Sequence, residues 1–298
     1  MAKYQGKHTT QANKTPSRRK SRRGSRIIPI LAAAVFVYAA ARLAMGFFYD
    51  IKLDREQAEL KAAVISTPVP VEDLMPASSP SSAPGPSAAP EATPTPSPSP
   101  TPTPEPTPTP LPITVDHAAV KAENGDYIGW LYCEDTPIDF PIVRGEDNEY
   151  YLTHTFYGST NDNGALFMDY RGKEDFSDKI NVVYGHNLYT DSMLGSLSGY
   201  RQQEYYEQHP SMYLFTAEKN YELDVVCAFD TYVTSPAFVF PCTEGSYGLL
   251  IKDIETYSFI EPSVDIIDGE PLLGLSTCTD FDDMRFVVIT TLRAIEDN

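Results

Sequence analysis

The feature that most limits how this chain can fold is a proline-rich segment between Pro68 and Pro112. It contains 17 of the chain's 26 prolines, many of them in Thr-Pro and Ser-Pro repeats. Such a composition cannot form a packed core and favours extended polyproline II backbone. Of the 298 residues, only the last 180 or so can therefore bury a core, which is enough for one ordinary domain at 113–298.

An apolar stretch from Ile27 to Tyr49 is long enough to cross a membrane. Its 23 residues would form a helix about 35 Å long, against a bilayer core of about 30 Å. Basic residues crowd its N-terminal side, so the positive-inside rule places residues 1–26 in the cytoplasm and the rest outside. Arg42 interrupts the stretch near its outer end, where a long side chain can reach the interface. The alternative is a signal peptide cleaved near Ala39–Ala41, which also exports the domain.

Two segments connect the apolar stretch to the domain. Residues 50–66 are predicted to form a juxtamembrane helix, because they carry charges four positions apart and neither Gly nor Pro. Residues 67–112 are predicted to form a disordered, Pro/Thr/Ser-rich stalk. Fully extended, this linker would reach about 140 Å, so we interpret it as a spacer that holds the domain away from the lipid.

The charge of the chain excludes one class of partner. The net charge is −18, but residues 1–49 carry ten basic and no acidic residues, which leaves the remainder near −28. An acidic domain argues against nucleic-acid binding, which requires a basic surface. The four cysteines contain no CxxC pair, so we expect neither a metal site nor a disulfide essential for folding.

Eight short apolar segments are predicted to be strands. They are Tyr127–Tyr132, Ile138–Val143, Ala165–Asp169, Asn181–Tyr184, Met212–Thr216, Tyr221–Phe229, Leu272–Thr277 and Arg285–Leu292. Helices are predicted over Ser192–Gln208 and Tyr247–Thr256, with another short one before Gly129. Many short strands with few helices predict a mainly β fold, a small closed or nearly closed barrel.

The stretch LLGLSTCTDFDDMRFVVITTL, residues 272–292, predicts an antiparallel hairpin. Its first apolar run ends at Cys278, and Arg285 opens the second run after an acidic turn. The hairpin can bring the thiol and the guanidinium close enough to share one bound carbonyl group. The alternative interpretation is that Cys278 is a buried core residue and Arg285 a solvated surface residue. This alternative is favoured when the cysteine is considered alone.

A histidine at the end of another predicted strand favours the catalytic interpretation over this alternative. The run INVVY stops just before Gly185 and His186, which places the imidazole on a loop, where catalytic groups are commonly displayed. A cysteine with a histidine distant in sequence is the arrangement of thiol nucleophilic catalysis. The remaining histidines are interpreted as packing, turn or remote residues: His8, His117, His154 and His209.

These motifs together resemble the sortases, the cysteine transpeptidases of Gram-positive surfaces. LSTC is followed by Arg285, and YGH lies about ninety residues upstream. Gly125–Arg171 and Gly185–Tyr200 are similar to class B members, and the resemblance runs from about Val115 to the C-terminus. It implies an eight-stranded sortase-type barrel with a helix inserted before the cysteine strand, here Ser246–Ser258. The proline-rich linker is a departure, since class B stalks are usually shorter.

The resemblance also implies a role for each site residue. Cys278 is the nucleophile that forms a thioacyl intermediate, and His186 is the general acid/base. Arg285 stabilises the oxyanion or the substrate carbonyl. Ser276 and Thr277 flank the nucleophile and are expected to line the substrate groove.

Two rival assignments concern charged residues near the hairpin. Arg293 lies eight residues beyond Arg285 and is expected at the other end of the strand, away from the thiol. Asp280, Asp282 and Asp283 form the acidic turn, which we interpret as a solvated loop rather than a metal site. Whether Asp280 orients the histidine is left open.

The implied function is that of a membrane-anchored class B sortase, an enzyme acting on peptide bonds. It would be a single-pass protein of the cell membrane with an extracellular catalytic domain and a cytoplasmic N-terminus. It would cleave a C-terminal sorting signal of the Leu-Pro-x-Thr-Gly or Asn-Pro-x-Thr type from secreted proteins, and transfer them to a peptidoglycan-precursor amine or a pilin lysine. No cofactor is expected. The alternatives are a non-catalytic wall-spanning scaffold and a simple thiol endopeptidase.

Overall fold

The computed structural model describes residues 24–67, 111–187, 192–278 and 283–295. The predictions for the cytoplasmic tail, for most of the proline-rich linker and for Asp280 and Asp282 lie outside these ranges. The chain divides into two compact units, residues 1–52 and residues 53–298.

The second unit contains all the strands that the structure describes. In chain order they are β1 (Ile65–Ser66), β2 (Thr114–Val115), β3 (Tyr127–Tyr132), β4 (Asp139–Val143), β5 (Leu166–Met168), β6 (Ile180–Tyr184), β7 (Ser211–Phe215), β8 (Asn220–Tyr232), β9 (Leu272–Cys278), β10 (Met284–Thr291) and β11 (Arg293–Ile295). Each of the eight predicted strands corresponds to one of β3–β10, with ends shifted by a few residues.

Strands β3–β10 close into a barrel. Their order is β10-β9-β6-β5-β4-β3-β7-β8, and β8 pairs again with β10 to complete the ring. The pairs β4–β5 and β6–β9 are parallel and the others are antiparallel. Strand β11 follows β10 and pairs with β8. The predicted eight-stranded barrel is therefore confirmed.

Alternation along the strands separates the core into an inner and an outer set. Leu131, Val183, Leu275 and Val288 belong to the largest buried cluster, whereas their chain neighbours Trp130 and Val182 belong to two further clusters. Successive side chains of a strand point to opposite faces, so both faces of this barrel wall are apolar. The outer face therefore needs a cover of helices.

Within the described ranges the chain forms four helices and three short 3₁₀ turns. The helices are α1 (Gly24–Val64), α2 (His117–Glu123), α3 (Gln203–Gln208) and α4 (Glu244–Tyr257), and the turns are Tyr150–Leu152, Gly195–Arg201 and Pro236–Phe238. Helix α4 is the predicted insertion before the cysteine strand, and α2 is the short helix predicted before Gly129.

The helix predicted over Ser192–Gln208 is divided into the 3₁₀ turn and α3. Gly199 packs against the Tyr205 ring so closely that a Cβ there would lie 2.7 Å from it. This contact explains the glycine at the position where the 3₁₀ turn approaches α3.

The part of helix α1 that lies in the first unit is mostly apolar. From Pro29 to Phe48 its side chains are exposed, including large apolar ones such as Val35, Phe36 and Leu43. A helix that is apolar all round is typical of a membrane span. By length and composition, α1 can cross a membrane, and the predicted transmembrane residues 27–49 lie within it.

The last three turns of α1 belong to the second unit. Leu53, Gln57, Leu60 and Val64 are buried there, at a spacing that places them on one face of the helix. Lys61 forms an ion pair with Asp139 of β4 at 3.0 Å. This end of the predicted juxtamembrane helix is thus part of the folded unit.

The chain then forms a pair of two-residue strands, with β1 before the proline-rich segment and β2 after it. Ile65 lies opposite Val115 and Ser66 opposite Thr114, in antiparallel register. Asp116 N donates to Val64 O at 2.8 Å just beyond this pair. The residue that enters the segment and the residue that leaves it are therefore neighbours.

Candidate active site

The ends of three adjacent strands bring positions 186, 278 and 285 together. Cys278 of β9 lies directly opposite Arg285 of β10 in the antiparallel register. Strand β6 runs parallel to β9 with Tyr184 level with Ser276, so His186, two residues further on, is level with position 278. Cβ atoms of directly opposite residues in antiparallel strands are about 4.5–5.5 Å apart. Of Cys278 itself, the structure describes the backbone.

A cavity of about 310 Å³ opens at this end of the barrel. Its lining contains four of the residues selected from the sequence: His186, Ser276, Thr277 and Arg285. Residues that sequence analysis did not select complete the wall, among them Asn148, Leu152, Phe167, Arg171, Tyr184, Val233 and Phe238. Four of the five predicted site residues thus contribute to the lining of one cavity.

The imidazole of His186 is half-buried and held through one nitrogen. Its Nε2 lies 2.8 Å from the carbonyl oxygen of Leu152, at the end of the 3₁₀ turn Tyr150–Leu152. A carbonyl oxygen only accepts, so Nε2 carries the proton of this bond. In the neutral imidazole the basic lone pair is then on Nδ1, which is the atom able to accept a proton.

The guanidinium of Arg285 is anchored close to its own backbone. Its Nη1 donates to Met284 O at 2.7 Å, and the side chain is half-buried. Arg285 lies between Cys278 on one side and Thr231 of β8 on the other. A guanidinium carries its N–H donors in a fixed planar fork, which suits it to binding an oxygen atom.

Ser276 and Thr277 carry buried hydroxyl groups beside the cavity. Their residues are 1% and 3% exposed, and neither Ser276 Oγ nor Thr277 Oγ1 has a hydrogen-bond partner among the residues that the structure describes. Leaving a buried hydroxyl unsatisfied costs about 1–3 kcal/mol. Both residues line the cavity, but each hydroxyl oxygen is shielded from solvent, so a ligand could reach it only after a local rearrangement.

Sequence analysis missed a buried polar cluster in the same wall. The carboxylate of Asp169, which is 0% exposed, accepts hydrogen bonds from Arg171, Asn148 and Tyr184. Burial raises the pKa of this carboxyl, but the hydrogen bonds from Arg171 and Tyr184 outweigh burial and hold the pKa below its usual range. The sequence feature that could have indicated this cluster is Asp169 followed two residues later by Arg171, directly after a buried strand.

The rival candidates lie elsewhere. Arg293 forms ion pairs with Asp224 at 2.7 Å and Glu270 at 3.2 Å, at the opposite end of the β9–β10 pair from Arg285. The His154 ring stacks on Tyr150 with centroids 4.1 Å apart, and His209 packs beside Tyr205. His117 binds the Tyr127 hydroxyl at 2.7 Å.

Two of the other cysteines are poor nucleophiles. Cys133 and Cys227 are buried, and burial raises the pKa of the Cys133 thiol and brings that of Cys227 to about 12. A thiol with a raised pKa carries little thiolate, which is the reactive form. Cys242 is half-buried at the start of α4, away from the cavity.

Within the described ranges, no three His, Cys, Asp or Glu side chains form a group that could hold a metal ion. Asp283 of the acidic turn is exposed, whereas Asp280 and Asp282 fall outside those ranges. The interpretation of this turn as a solvated loop remains a prediction.

Comparison with known proteins gives a consistent family of relatives. No family model matches the chain. Sortase B of Listeria monocytogenes is 31% identical over 172 residues, which are 55% of this chain and 69% of that protein. Among solved structures, a Bacillus anthracis protein described as similar to sortase B is 28% identical, with a TM-score of 0.55 over 61% of this chain and 85% of that one. The Staphylococcus aureus sortase B–substrate complex has a TM-score of 0.56 at 24% identity, over 60% of this chain and 85% of that one.

Proposed function

This chain belongs to the sortase B family, and from that premise we propose that it is a membrane-anchored cysteine transpeptidase that processes C-terminal sorting signals. The observation that supports the proposal is the strand register, in which Cys278 pairs with Arg285 and β6 runs beside β9, next to a cavity lined by His186 and Arg285. Helix α1, whose side chains from Pro29 to Phe48 are exposed and apolar except for a few such as Arg42, serves as the anchor.

The first half-reaction cleaves the sorting signal. The thiolate of Cys278 attacks the carbonyl carbon of the scissile peptide bond, and Arg285 donates to the oxygen as negative charge develops on it. His186, in its protonated form, gives a proton to the leaving amine as the C–N bond breaks. The products are a thioacyl-enzyme and a free C-terminal fragment.

The second half-reaction transfers the retained fragment. An incoming amine attacks the thioacyl carbon, His186 takes up the proton that the amine loses, and the C–S bond breaks to regenerate the thiolate. Because Nε2 of His186 is bound to Leu152 O, this proton enters and leaves at Nδ1. Water in place of the amine would give hydrolysis.

The buried hydroxyls of Ser276 and Thr277 supply contacts for the extended substrate. Bound peptide backbone offers both donors and acceptors, so it can satisfy the two hydroxyls that lack partners in the described ranges. Removing that desolvation cost on binding makes part of the affinity depend on the peptide's polar backbone.

The partners follow from the chemistry and from the relatives. Solved sortase B complexes contain a substrate in one case and triglycine in another. For this chain we propose secreted proteins with a sorting signal of the Leu-Pro-x-Thr-Gly or Asn-Pro-x-Thr type as donors. The acceptor is a peptidoglycan-precursor amine or a pilin lysine, and the catalytic domain is extracellular with the N-terminus in the cytoplasm.

The test uses the full chain in detergent with a panel of quenched fluorescent sorting-signal peptides, with and without triglycine. We expect cleavage, a ligated product when triglycine is present, and loss of nearly all turnover in Cys278→Ala. The matched control is Cys242→Ala, which removes a thiol away from the cavity and should leave turnover unchanged. Full turnover by Cys278→Ala would refute the proposal, and hydrolysed product alone would indicate a thiol endopeptidase.

A further inference from the structure

Asp169 is the centre of a hydrogen-bond cluster that the three-residue mechanism does not use. It directly follows β5, and its two carboxylate oxygens bind three side chains. Arg171 donates from Nε at 2.8 Å and from Nη2 at 2.7 Å, Asn148 donates from Nδ2 at 3.1 Å, and the Tyr184 hydroxyl donates at 2.9 Å. All three partners line the catalytic cavity.

One partner connects Asp169 to His186 along the backbone. Tyr184 is the last residue of β6, and the imidazole follows after a single glycine. Gly185 has no room for a side chain, since a Cβ there would lie 2.5 Å from Leu166 and 2.7 Å from Leu194. A hydrogen bond that fixes Tyr184 therefore fixes the point from which the His186 loop departs.

A second partner connects Asp169 to the other side of the imidazole. Asn148 donates to Asp169 and accepts from Tyr170 N at 3.0 Å, which ties its segment to the residue after the carboxylate. The 3₁₀ turn Tyr150–Leu152 begins two residues later, and Leu152 O receives the hydrogen bond from His186 Nε2. One carboxylate thus restrains both the strand that carries His186 and the turn that orients its ring.

The charge state of Asp169 favours keeping all of its hydrogen-bond partners in place. The hydrogen bonds from Arg171 and Tyr184 more than offset burial and keep the pKa of the carboxyl low, so the group is ionised at neutral pH. A buried carboxylate that loses a partner is strongly destabilised, and each partner is therefore held in place. The Arg171 guanidinium also lies over the Phe240 ring, 4.8 Å from its centroid.

We propose that Asp169 is a positioning residue, which through Tyr184 and Asn148 sets the orientation and the proton affinity of His186. The inference rests on the proposed function for the role of the imidazole. It concerns geometry that is independent of which peptide is cleaved.

A matched pair of variants separates positioning from plain stabilisation. Asp169→Asn keeps the shape and removes the charge. Asp224→Asn does the same to the carboxylate that accepts from Arg293 at 2.7 Å, at the far end of the barrel. We expect kcat for Asp169→Asn to fall about 10–100-fold with KM changed less than threefold, because small displacements of a catalytic group are costly. Asp224→Asn should lower the melting temperature and leave kcat within about twofold.

Two further measurements keep the proposal testable in every case. Tyr184→Phe removes one hydroxyl and keeps the ring, so if Asp169→Asn does not fold, this variant decides through the same fall in kcat. NMR titration of the His186 imidazole in wild-type protein and in each variant is independent of turnover. Absence of wild-type turnover would count against the proposed function alone. An unchanged His186 titration and an unchanged kcat in folded Asp169→Asn or Tyr184→Phe would overturn the positioning role.

Discussion

Two regions of the second unit are built in opposite ways. The first, the cavity rim, consists of His186, Ser276, Thr277 and Arg285, which line the cavity. The second, the helix-covered face, is the patch of barrel wall under the last turns of α1, where Leu60 and Val64 pack with residues such as Ile113, Trp130 and Val143. On the helix-covered face the indole N–H of Trp130 binds Asp139 at 2.7 Å, whereas the hydroxyls at the rim are buried without a described partner.

This difference indicates that stability and chemistry reside in separate parts of the unit. Apolar contact provides most of the free energy of folding, and the helix-covered face buries the apolar side chains of α1 against the barrel. Buried polar atoms without a described partner occur in both regions, such as Ser276 Oγ at the rim and Gln57 Oε1 on the buried face of α1. Substitutions in the two regions should therefore change different observables.

The largest expected effect is on catalysis at the rim. Arg285→Ala removes the donor to the developing oxyanion, and we expect kcat/KM to fall about 10²–10³-fold. The melting temperature should change little, because the side chain is half-buried at the cavity. Steady-state kinetics and a thermal melt on the same sample test this.

The control is Arg293→Ala, which removes two ion pairs at the other end of the barrel. It should lower the melting temperature and leave kcat/KM nearly unchanged. Equal losses of activity in the two variants would contradict the separation of the regions.

The next effect is on stability at the helix-covered face. Leu60 is 2% exposed, and Leu60→Ala should cost about 2–5 kcal/mol of unfolding free energy through lost burial and the cavity that remains. The kcat of the folded fraction should stay at the wild-type value. Denaturant unfolding together with activity measured below the transition tests both statements.

Glu59 on the adjacent, exposed side of the same helix provides the comparison, and Glu59→Ala should change the unfolding free energy little. If Leu60→Ala is as stable as Glu59→Ala, then the contact between α1 and the barrel does not contribute to folding.

The smallest expected effect is at Ser276, where one substitution tests both stability and KM. Ser276→Ala removes a buried hydroxyl without a described partner, so stability should be unchanged or slightly increased. Loss of one hydrogen bond of about 1 kcal/mol should raise KM about 5-fold. Thr290→Val is the matched control, since Thr290 Oγ1 donates to Leu273 O at 3.3 Å in the same hairpin and should affect stability rather than KM. A large loss of stability in Ser276→Ala would show that its hydroxyl is already satisfied.

The strands and the placement of the rim residues could be predicted because their signals are local. Apolar runs of four to nine residues with turn residues between them marked β3–β10, and Cys278 and Arg285 flank one short turn. That His186 lies beside position 278 could be expected only from the resemblance. Nothing in the sequence shows that β6 runs parallel to β9.

What could not be predicted depends on contacts between distant residues. Asp169, Asn148 and Tyr184 come from three separate segments, and only the folded barrel brings their side chains together. The buried face of α1 had a signal in the spacing of Leu53, Leu60 and Val64, but the partner surface was unknown. Strands β1 and β2 are two residues long, which is too short for any pattern.

The pairing of Ser66 with Thr114 limits the effect that the number of proline repeats can have on the folded unit. The chain leaves the folded unit at one strand and returns at its neighbour, so repeats added or lost between these residues do not alter the separation of the two ends. Each doubling of such a closed excursion costs only about 0.6 kcal/mol of closure entropy. The repeat number is therefore free to drift during evolution with almost no penalty to the barrel.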